Sequence, residues 1–462
     1  MIDKKHYTCY LYTCNVNYPF ARGIKMTAST LNHTLALNGG EKLIQNKDKE
    51  LFHWPIITKE DEDAVLDVMR KGTFSHTALT SEFEKEMAAW QKTKHALAYC
   101  NGTASLLGAL FGCKVGAGDE VITPAYTYWA TFMPIINLRA TPVFADIDPK
   151  TLCIDPADIE KKITPKTKAI MVMHAFGHPC DMDPIMAIAE KHQIKVIEDA
   201  SHAQGSLYKG RMVGSLGHVS GMSMMGGKSF AVGEGGMLLT DDEEILQRAA
   251  SFGFYEKTVG TNWSKEGDLI TEPELLPWKG MSAGGFKHRM NQTCSAMGRV
   301  QLKYYPERIK EIQESMNYFW DLLKDTPCLT IHKIDPKTNS TMGGWYNAVG
   351  IYHAEELGGL SSQKFCEAVQ AEGGILSVGP KQYARSHLHP LVQDADVYNE
   401  GKPSVIAFSD RDTRLKKGDL PITESMEEKV ITVPWFKKLK PDLIKQYADA
   451  IKKVAENYQE LL

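Results

Sequence analysis

The feature that most constrains this chain is a regular alternation of short apolar runs with amphipathic segments, from about residue 57 to residue 240. The apolar runs predicted to be strands are 96–100, 120–123, 142–145, 169–174 and 195–198. The segments predicted to be helices are 60–69, 81–91, 104–111 and 184–191. Because strands that alternate with helices form a parallel sheet covered by helices on both faces, the predicted fold class is α/β.

Beyond the alternating region the pattern becomes less regular. Further predicted elements are a helix from Gln292 towards Lys324, a strand over 345–352, helices over 362–372 and 441–461, and irregular loops over 254–285 and 390–419. The change near residue 310 predicts a large domain over 51–310 and a smaller C-terminal domain over 311–462. Residues 1–50 are predicted to be an N-terminal extension, with Met26 as an alternative start.

Composition excludes several classes of function. The chain has 462 residues, of which 43% are hydrophobic and 24% charged, enough to build two domains. The balance of 53 Lys and Arg against 57 Asp and Glu gives no basic surface for nucleic acid or an anionic membrane. No apolar stretch reaches membrane-span length, and the N-terminus lacks a signal-peptide core. Nine cysteines without a Cys-x-x-Cys pair predict reduced thiols in a cytoplasmic protein.

Two residues about thirty positions apart carry the predicted chemistry. Asp199 ends a predicted strand, at the sheet edge where open α/β folds bind their ligands. Lys228 lies among small residues in the segment Ser-Met-Met-Gly-Gly-Lys-Ser, 223–229. Pyridoxal phosphate (PLP) needs a lysine that forms a Schiff base and an acid that keeps the pyridine nitrogen protonated. The sequence therefore predicts a PLP site with Lys228 and Asp199 as its catalytic residues.

Three further features support this site, although each has a plainer interpretation. Residues 101–105 join a strand to a helix start, which suits a phosphate, but many ordinary turns have the same sequence character. Tyr128 follows a predicted strand and either stacks on a flat cofactor ring or packs in the core. Ser223 lies five residues before Lys228, within reach of the same phosphate.

Together these segments resemble the DegT/DnrJ/EryC1/StrS sugar aminotransferases, which are PLP enzymes of fold type I. The resemblance runs from about Leu35 to the C-terminus. Its matching blocks are Phe83-Glu84, 101–106, 118–124, 198–202, 223–228, 233–236, 288–290 and Gln301-Leu302. It implies a large domain with a mostly parallel sheet between helices, a smaller C-terminal α+β domain, and a homodimer with the active site at the interface.

The resemblance also implies a role for each site residue. The implied cofactor-binding residues are Thr103, Ala104, Tyr128, Asp199, His202, Ser223, Lys228 and Lys287. In this set Thr103, Ala104 and Ser223 hold the phosphate, and His202 lies beside the ring and its 3-oxygen. The family commonly has an asparagine from the neighbouring subunit where this chain has Lys287, so the phosphate contact of Lys287 is left open.

The activity that the resemblance implies is amino transfer from glutamate or glutamine to a carbonyl carbon of a keto-cyclitol or keto-sugar. Residues 35–40 and 356–361 resemble the inosose aminotransferases, whereas residues 383–390 resemble the nucleotide-linked keto-sugar branch, and both alternatives stay open. Relatives that are dehydratases or isomerases have histidine in place of the lysine, so Lys228 favours transamination. A PLP-binding sensor without turnover is the alternative from another class, and the complete set of Asp199, Ser223 and Lys228 argues against it.

Other polar residues have interpretations that do not involve the cofactor. His387 and His389 lie in a loop without a carboxylate at helical spacing, which predicts a substrate-contacting or surface role and no metal site. Glu198 neighbours Asp199 on a strand, so alternation points its side chain to the opposite side, in a structural role. His174 is either a core histidine or a lining residue, and Arg289 either anchors a substrate carboxylate or forms an interface salt bridge.

Overall fold

The computed structural model describes residues 34–259 and 269–462. Residues 1–33, with the alternative start at Met26, and residues 260–268, within the predicted loop 254–285, lie outside the described residues. In the described part of the chain, no helix is both long enough and apolar enough to cross a membrane.

The elements alternate as the sequence predicts in the first half of the chain. They are α1 (Lys59–Lys71), α2 (Ala78–Gln91), β1 (His95–Tyr99), α3 (Gly102–Gly112), β2 (Glu120–Pro124), α4 (Trp129–Asn137), β3 (Thr141–Ala145), α5 (Pro156–Lys162), β4 (Thr167–Met173), α6 (Met182–His192), β5 (Lys195–Asp199), β6 (Leu207–Tyr208), β7 (Arg211–Met212), β8 (Val219–Ser223), β9 (Gly236–Thr240), α7 (Glu243–Gly253) and α8 (Tyr255–Thr258). The second half contains α9 (Gln292–Leu323), β10 (Leu329–Ile331), β11 (Val349–Tyr352), α10 (Ser362–Ala371), β12 (Ser377–Val378), α11 (Lys381–Ala384), α12 (Pro390–Gln393), α13 (Pro421–Lys429), β13 (Val430–Thr432) and α14 (Pro441–Glu456).

A seven-stranded sheet in the order β1-β9-β8-β5-β4-β2-β3 forms the centre of the molecule. Its neighbouring strands pair in parallel from β8 to β3, and β9 alone runs in the opposite direction. Buried side chains fill both faces of this sheet in two clusters. The predicted α/β fold with a mostly parallel sheet is therefore confirmed, and the carboxyl ends of β2, β4 and β5 lie along one edge.

A second sheet, antiparallel and ordered β10-β11-β13-β12, packs with α10, α14 and part of α9 around a separate core. Leu35, Ile44 and Leu51 are buried in that core, so the described part of the N-terminal segment packs tightly on it. The backbone N–H of Lys437 donates a 2.8 Å hydrogen bond to the carbonyl of Leu51 and fastens the same segment.

The predicted loop 390–419 is docked on the large sheet. Val392 and Val405 are buried in one of the two clusters that cover that sheet. The guanidinium of Arg411 donates a 2.6 Å hydrogen bond to the carboxylate of Glu120 at the start of β2. The segment therefore forms a wall against the large sheet, although only α12 and a short 3₁₀ turn are regular within it.

Two predicted elements were wrong in their extent. The strand expected over 345–352 begins only at Val349, because Trp345 and Asn347 adopt left-handed backbone conformations with φ of 53° and 50°. Such angles cannot be accommodated in an extended strand. The segment expected to be a loop from 254 contains the one-turn helix α8.

Candidate active site

A cavity of about 670 Å³ lies where the strands β4 and β5 and the helices α3 and α4 meet. It is lined by Thr103, Ala104, Tyr128, Asp199, His202, Ser223 and Lys228, which are all the predicted cofactor-binding residues except Lys287. Residues separated by more than a hundred positions in sequence are thereby brought to one place at the carboxyl edge of the sheet. Open α/β sheets bind ligands at this edge.

Asp199, at the end of β5, is held by two donors. Its Oδ2 accepts a 2.8 Å hydrogen bond from the hydroxyl of Thr131, and its Oδ1 accepts one of 3.1 Å from the backbone N–H of Ser201. The hydroxyls of Thr127 and Thr131 are 2.7 Å apart. Since a hydroxyl has one proton, Thr131 gives its proton to Asp199 and accepts that of Thr127. The carboxylate is thus fixed in orientation while it lines the cavity.

Lys228 presents a reactive amine to the same cavity. Burial lowers the pKa of its amine to about 8, and the nearby carboxylate of Asp199 opposes part of that shift. Its Nζ lies 4.1 Å from the centre of the Tyr346 ring. Its carbonyl oxygen accepts a 2.8 Å hydrogen bond from the indole of Trp54, which holds the main chain in place. A lysine with a lowered pKa has a larger neutral, nucleophilic fraction near neutral pH.

His202 is buried beside the lysine. Its ring lies almost parallel to that of Phe176, with centroids 5.8 Å apart, and 4.5 Å from the ring of Tyr346. Burial, together with the charge of Lys228, holds the pKa of His202 well below its usual range, so the imidazole is neutral. Within the described residues its Nδ1 has no hydrogen-bond partner. An unpaired buried nitrogen at the cavity is available to a polar group of a ligand.

The first turn of α3 forms the end of the cavity that suits a phosphate. The side chain of Asn101 caps this helix by accepting a 2.8 Å hydrogen bond from the N–H of Ala104. A Cβ added at Gly102 would lie 2.6 Å from the Cβ of Ser223, so only glycine allows this close approach. Helix N-termini have unpaired N–H groups and a positive dipole end, both of which attract anions.

Aromatic side chains also line the cavity. Tyr128 is 41% exposed at its mouth, and the largely buried Tyr383 lies stacked 6.0 Å from the Phe176 ring. Lys287 lies outside this wall, with its Nζ 5.5 Å from the centre of the Tyr255 ring. The prediction for Lys287 concerns a partner subunit, so it stays a prediction.

Glu198, His387 and His389 do not line the cavity. The carboxylate of Glu198 is fully buried. It accepts hydrogen bonds from the backbone N–H groups of Gly214, Leu216 and Gly217, and its Oε2 lies 3.0 Å from Nε2 of His174. His387 is buried with its Nε2 3.3 Å from Glu424, while His389 caps α12. Among the described residues, no three His, Cys, Asp or Glu side chains form a cluster suited to a metal ion.

Sequence reasoning missed several residues of the cavity. Thr131, Tyr346 and His288 line it, but neither a threonine in a helix nor a tyrosine in an apparent strand signals a binding role. His288 lies in one of the matched blocks, but its residue type and position alone predict no role for it. The Nε2 of this buried histidine has no partner in the described part of the chain, and burial lowers its pKa.

Comparison with known proteins agrees with this geometry. The sequence profile of the DegT/DnrJ/EryC1/StrS aminotransferase family matches residues 55–452. The chain is 31% identical to the spore coat polysaccharide biosynthesis protein SpsC of Bacillus subtilis, covering 90% of this chain and 99% of SpsC. It is 30% identical to an L-glutamine:2-deoxy-scyllo-inosose aminotransferase of Micromonospora echinospora, covering 92% of this chain and 99% of the relative.

A third relative has a different enzyme name. The chain is 36% identical to a GDP-perosamine synthase of Caulobacter vibrioides, over 57% of this chain and 67% of the relative. Among solved structures, an aminotransferase from Psychrobacter cryohalolentis matches with a TM-score of 0.74 and 29% identity, covering 88% of this chain and 100% of that chain.

Proposed function

The chain belongs to the DegT/DnrJ/EryC1/StrS aminotransferase family, and on that premise we propose that it transfers an amino group from glutamate or glutamine to a keto-cyclitol or free keto-sugar. It is a PLP-dependent enzyme. The observation that carries the proposal is the buried amine of Lys228 in one cavity with the fixed carboxylate of Asp199.

The residues of the cavity fit the cofactor. The first turn of α3 suits the phosphate, and the unpaired Nδ1 of His202 suits a ring oxygen. The carboxylate of Asp199 would pair with a protonated ring nitrogen, and Tyr128 offers an aromatic face to the ring. When bound, PLP supplies an electrophilic aldehyde and a ring that accepts electrons from the substrate carbon.

In the proposed mechanism, the residues of the cavity orient the cofactor and the substrate, and Lys228 moves one proton. The ε-amine of Lys228 would hold the cofactor covalently, and when this amine is free it is the general base placed to take the Cα proton of the donor. Thr131 and Ser201 orient the carboxylate of Asp199 through their hydrogen bonds. The neutral His202 donates or accepts hydrogen bonds without adding a positive charge beside the lysine.

The acceptor class is proposed from two observations. The relative with the inosose aminotransferase name matches this chain over 92% of its length, at 30% identity. The cavity, at about 670 Å³, is of the size that binds small molecules. Free cyclitols and keto-sugars are compact polyols, so the tyrosine and histidine side chains of the cavity can bind their hydroxyls.

A nucleotide-linked keto-sugar is the second candidate. A neighbouring pocket of about 490 Å³ shares Thr103, Tyr128, Trp129 and Tyr383 with the main cavity. Its additional space, with the exposed indole of Trp129 at one side, favours a substrate that extends beyond a single ring. The similarity to a GDP-perosamine synthase supports the same candidate.

We also propose a cytoplasmic homodimer with the active site near the subunit interface. The seven described cysteines are all free thiols, which is typical of a reducing compartment. Trp129 and Met225, at the cavity mouth, are 48% and 37% exposed and would be covered by a second subunit. Lys287 of the partner subunit is the proposed phosphate contact.

The function is tested by separating its two half-reactions. The PLP-loaded protein is incubated with glutamate or glutamine, and conversion to the pyridoxamine form is followed by loss of the yellow chromophore. The isolated pyridoxamine form then receives either a keto-inositol or a nucleoside diphosphate keto-sugar. Aminated cyclitol supports the first candidate, aminated nucleotide sugar supports the second, and failure of both amino donors contradicts the function.

A further inference from the structure

A second buried lysine lies close to the active site, although it does not line the cavity. The side chain of Lys437 is only 3% exposed, and its Nζ lies 2.8 Å from the centre of the Trp435 ring. The same Nζ is 5.7 Å from the centre of the Trp54 ring and donates a 3.2 Å hydrogen bond to the carbonyl of Trp435. In the described part of the chain, no carboxylate forms an ion pair with it. Burial holds the pKa of this amine well below the usual lysine value.

The two tryptophans connect this amine to the catalytic lysine by separate contacts. The indole N–H of Trp54 donates to the carbonyl of Lys228 at 2.8 Å. The ring of Trp435 meets that of Tyr346 edge-on at 5.8 Å, and the Tyr346 ring in turn lies 4.1 Å from the Nζ of Lys228. One contact therefore fixes the main chain of the catalytic lysine, and the other supports the ring beside its amine.

Trp54 lies more than 380 positions from Trp435 and Lys437 in sequence, so only the folded chain brings these three side chains together. The rings of Trp54 and Trp435 are 6.3 Å apart, with Lys437 beside both. The indole N–H of Trp435 donates a 3.0 Å hydrogen bond to the carbonyl of Gly344, two residues before Tyr346. Trp54 belongs to the N-terminal segment, whose Leu51 carbonyl accepts from the backbone of Lys437.

We propose that Trp54, Trp435 and Lys437 form a clamp that positions Lys228 and Tyr346 in the active site. Lys437 is a positioning residue in this arrangement, because it acts through the two tryptophans and does not contact the cavity. The purpose of the clamp is to keep the amine of Lys228 shielded and correctly aimed. The role in turnover rests on the proposed function, whereas the effect on the amine itself does not.

The prediction is that loosening the clamp exposes the amine of Lys228 to water. Its pKa then rises from about 8 towards the ordinary lysine value, since burial is the main cause of the lowering. The titratable side chains that line the same cavity are Asp199, His202, Tyr128, Tyr346, Tyr383, Glu234 and His288, and among them the charge of Asp199 opposes the lowering of this pKa. None of them is altered by a change at Lys437 or Trp54.

The test compares Lys437→Met and Trp54→Phe with wild type and with Lys438→Met. Methionine keeps the length of the side chain without the amine, and phenylalanine keeps an aromatic ring without the N–H donor. Lys438 is a matched control because it pairs with Glu311 at the surface. Competitive labelling of the cofactor-free full chain with acetic anhydride, read by peptide mass, gives the pKa of the Lys228 amine.

Both clamp variants are expected to raise that pKa by about one unit, and the PLP-loaded forms to lose about tenfold in kcat with little change in KM for the donor. If both variants match Lys438→Met in these measurements, the clamp is refuted. Should Lys437→Met fail to fold, Trp54→Phe decides alone. Because labelling needs neither cofactor nor turnover, the clamp can be judged even if the proposed amino transfer fails.

Discussion

The hydroxyl of Thr131 donates a 2.8 Å hydrogen bond to Oδ2 of Asp199. Thr131 lies in α4, which begins 70 residues before Asp199 in the sequence. This bond is the direct structural support for the carboxylate that is proposed to hold the ring nitrogen. A second hydroxyl, that of Thr127, completes the chain at 2.7 Å. The orientation of Asp199 is therefore determined by two buried threonines as well as by its own strand.

Removal of this support should impair turnover more than folding. We expect Thr131→Val to lower kcat about 10-fold and Asp199→Asn about 100-fold or more, because a carboxamide does not keep the ring nitrogen protonated. Steady-state kinetics of the PLP-loaded variants measures both effects. Thr123→Val is the control, since the buried hydroxyl of Thr123 has no partner within the described residues. Equal activity of Thr131→Val and Thr123→Val would contradict the role of Thr131.

The lowered pKa of Lys228 predicts how the apoprotein captures its cofactor. The rate of covalent capture of PLP should rise with pH and level off above about 8, because the neutral amine is the nucleophile. Borohydride reduction at successive times, followed by intact mass, measures this rate. Lys228→Met should bind PLP without any mass gain after reduction. A reduced adduct on another lysine in the variant and the wild type alike would remove Lys228 from the mechanism.

Much of the fold and site could be predicted from the sequence because both depend on local patterns. The alternation of apolar strands and amphipathic helices predicts a parallel sheet, and the sheet brings Asp199, at one strand end, into a cavity with Thr103 and Ser223. The glycines around Lys228 and at Gly102 are visible in the sequence as well. The reason for Gly102, whose added Cβ would lie 2.6 Å from the Cβ of Ser223, becomes evident only in the folded chain.

The parts that could not be predicted depend on long-range packing or unusual backbone. Tyr346 lies between two left-handed residues, which places its ring beside Lys228 and interrupts the expected strand. No residue type in that segment signals such angles. Trp54 and Lys437 are separated by more than 380 positions in sequence, so only tertiary structure places them together.

Glu198 should support stability, in contrast to its neighbour Asp199. Burial alone would raise the pKa of Glu198, but the bonds from His174 and from the backbone of Gly217 and Gly214 hold it below its usual range. A lowered carboxylate pKa gives stability that is present above the unfolded-state pKa and lost as the pH falls through the folded-state pKa. We therefore expect Glu198→Gln to destabilise the fold by about 1–3 kcal/mol at pH 7, and less at lower pH.

Urea unfolding at several pH values between 4 and 7 measures this difference. At pH 7 and below the urea transition, PLP capture by Glu198→Gln should equal that of wild type, because the Glu198 side chain contacts the turn between β7 and β8 and does not line the cavity. A variant that unfolds like wild type at every pH would show that the buried carboxylate contributes nothing to stability.

The buried amine of Lys437 gives the opposite dependence of stability on pH. Its pKa is strongly lowered by burial in the folded chain, whereas the unfolded chain binds a proton below about the ordinary lysine value of 10.4. The unfolded state is therefore favoured increasingly as the pH falls from 10 towards the folded-state pKa, by up to about 1.4 kcal/mol per pH unit.

Methionine in place of Lys437 takes up no proton in either state. Relative to wild type, Lys437→Met should gain stability as the pH is lowered from 10 towards the folded-state pKa of Lys437, measured by urea unfolding. Lys438→Met, altered at the adjacent surface position, should run parallel to wild type, and a Lys437→Met curve that also runs parallel would mean that the amine of Lys437 is charged in the folded protein.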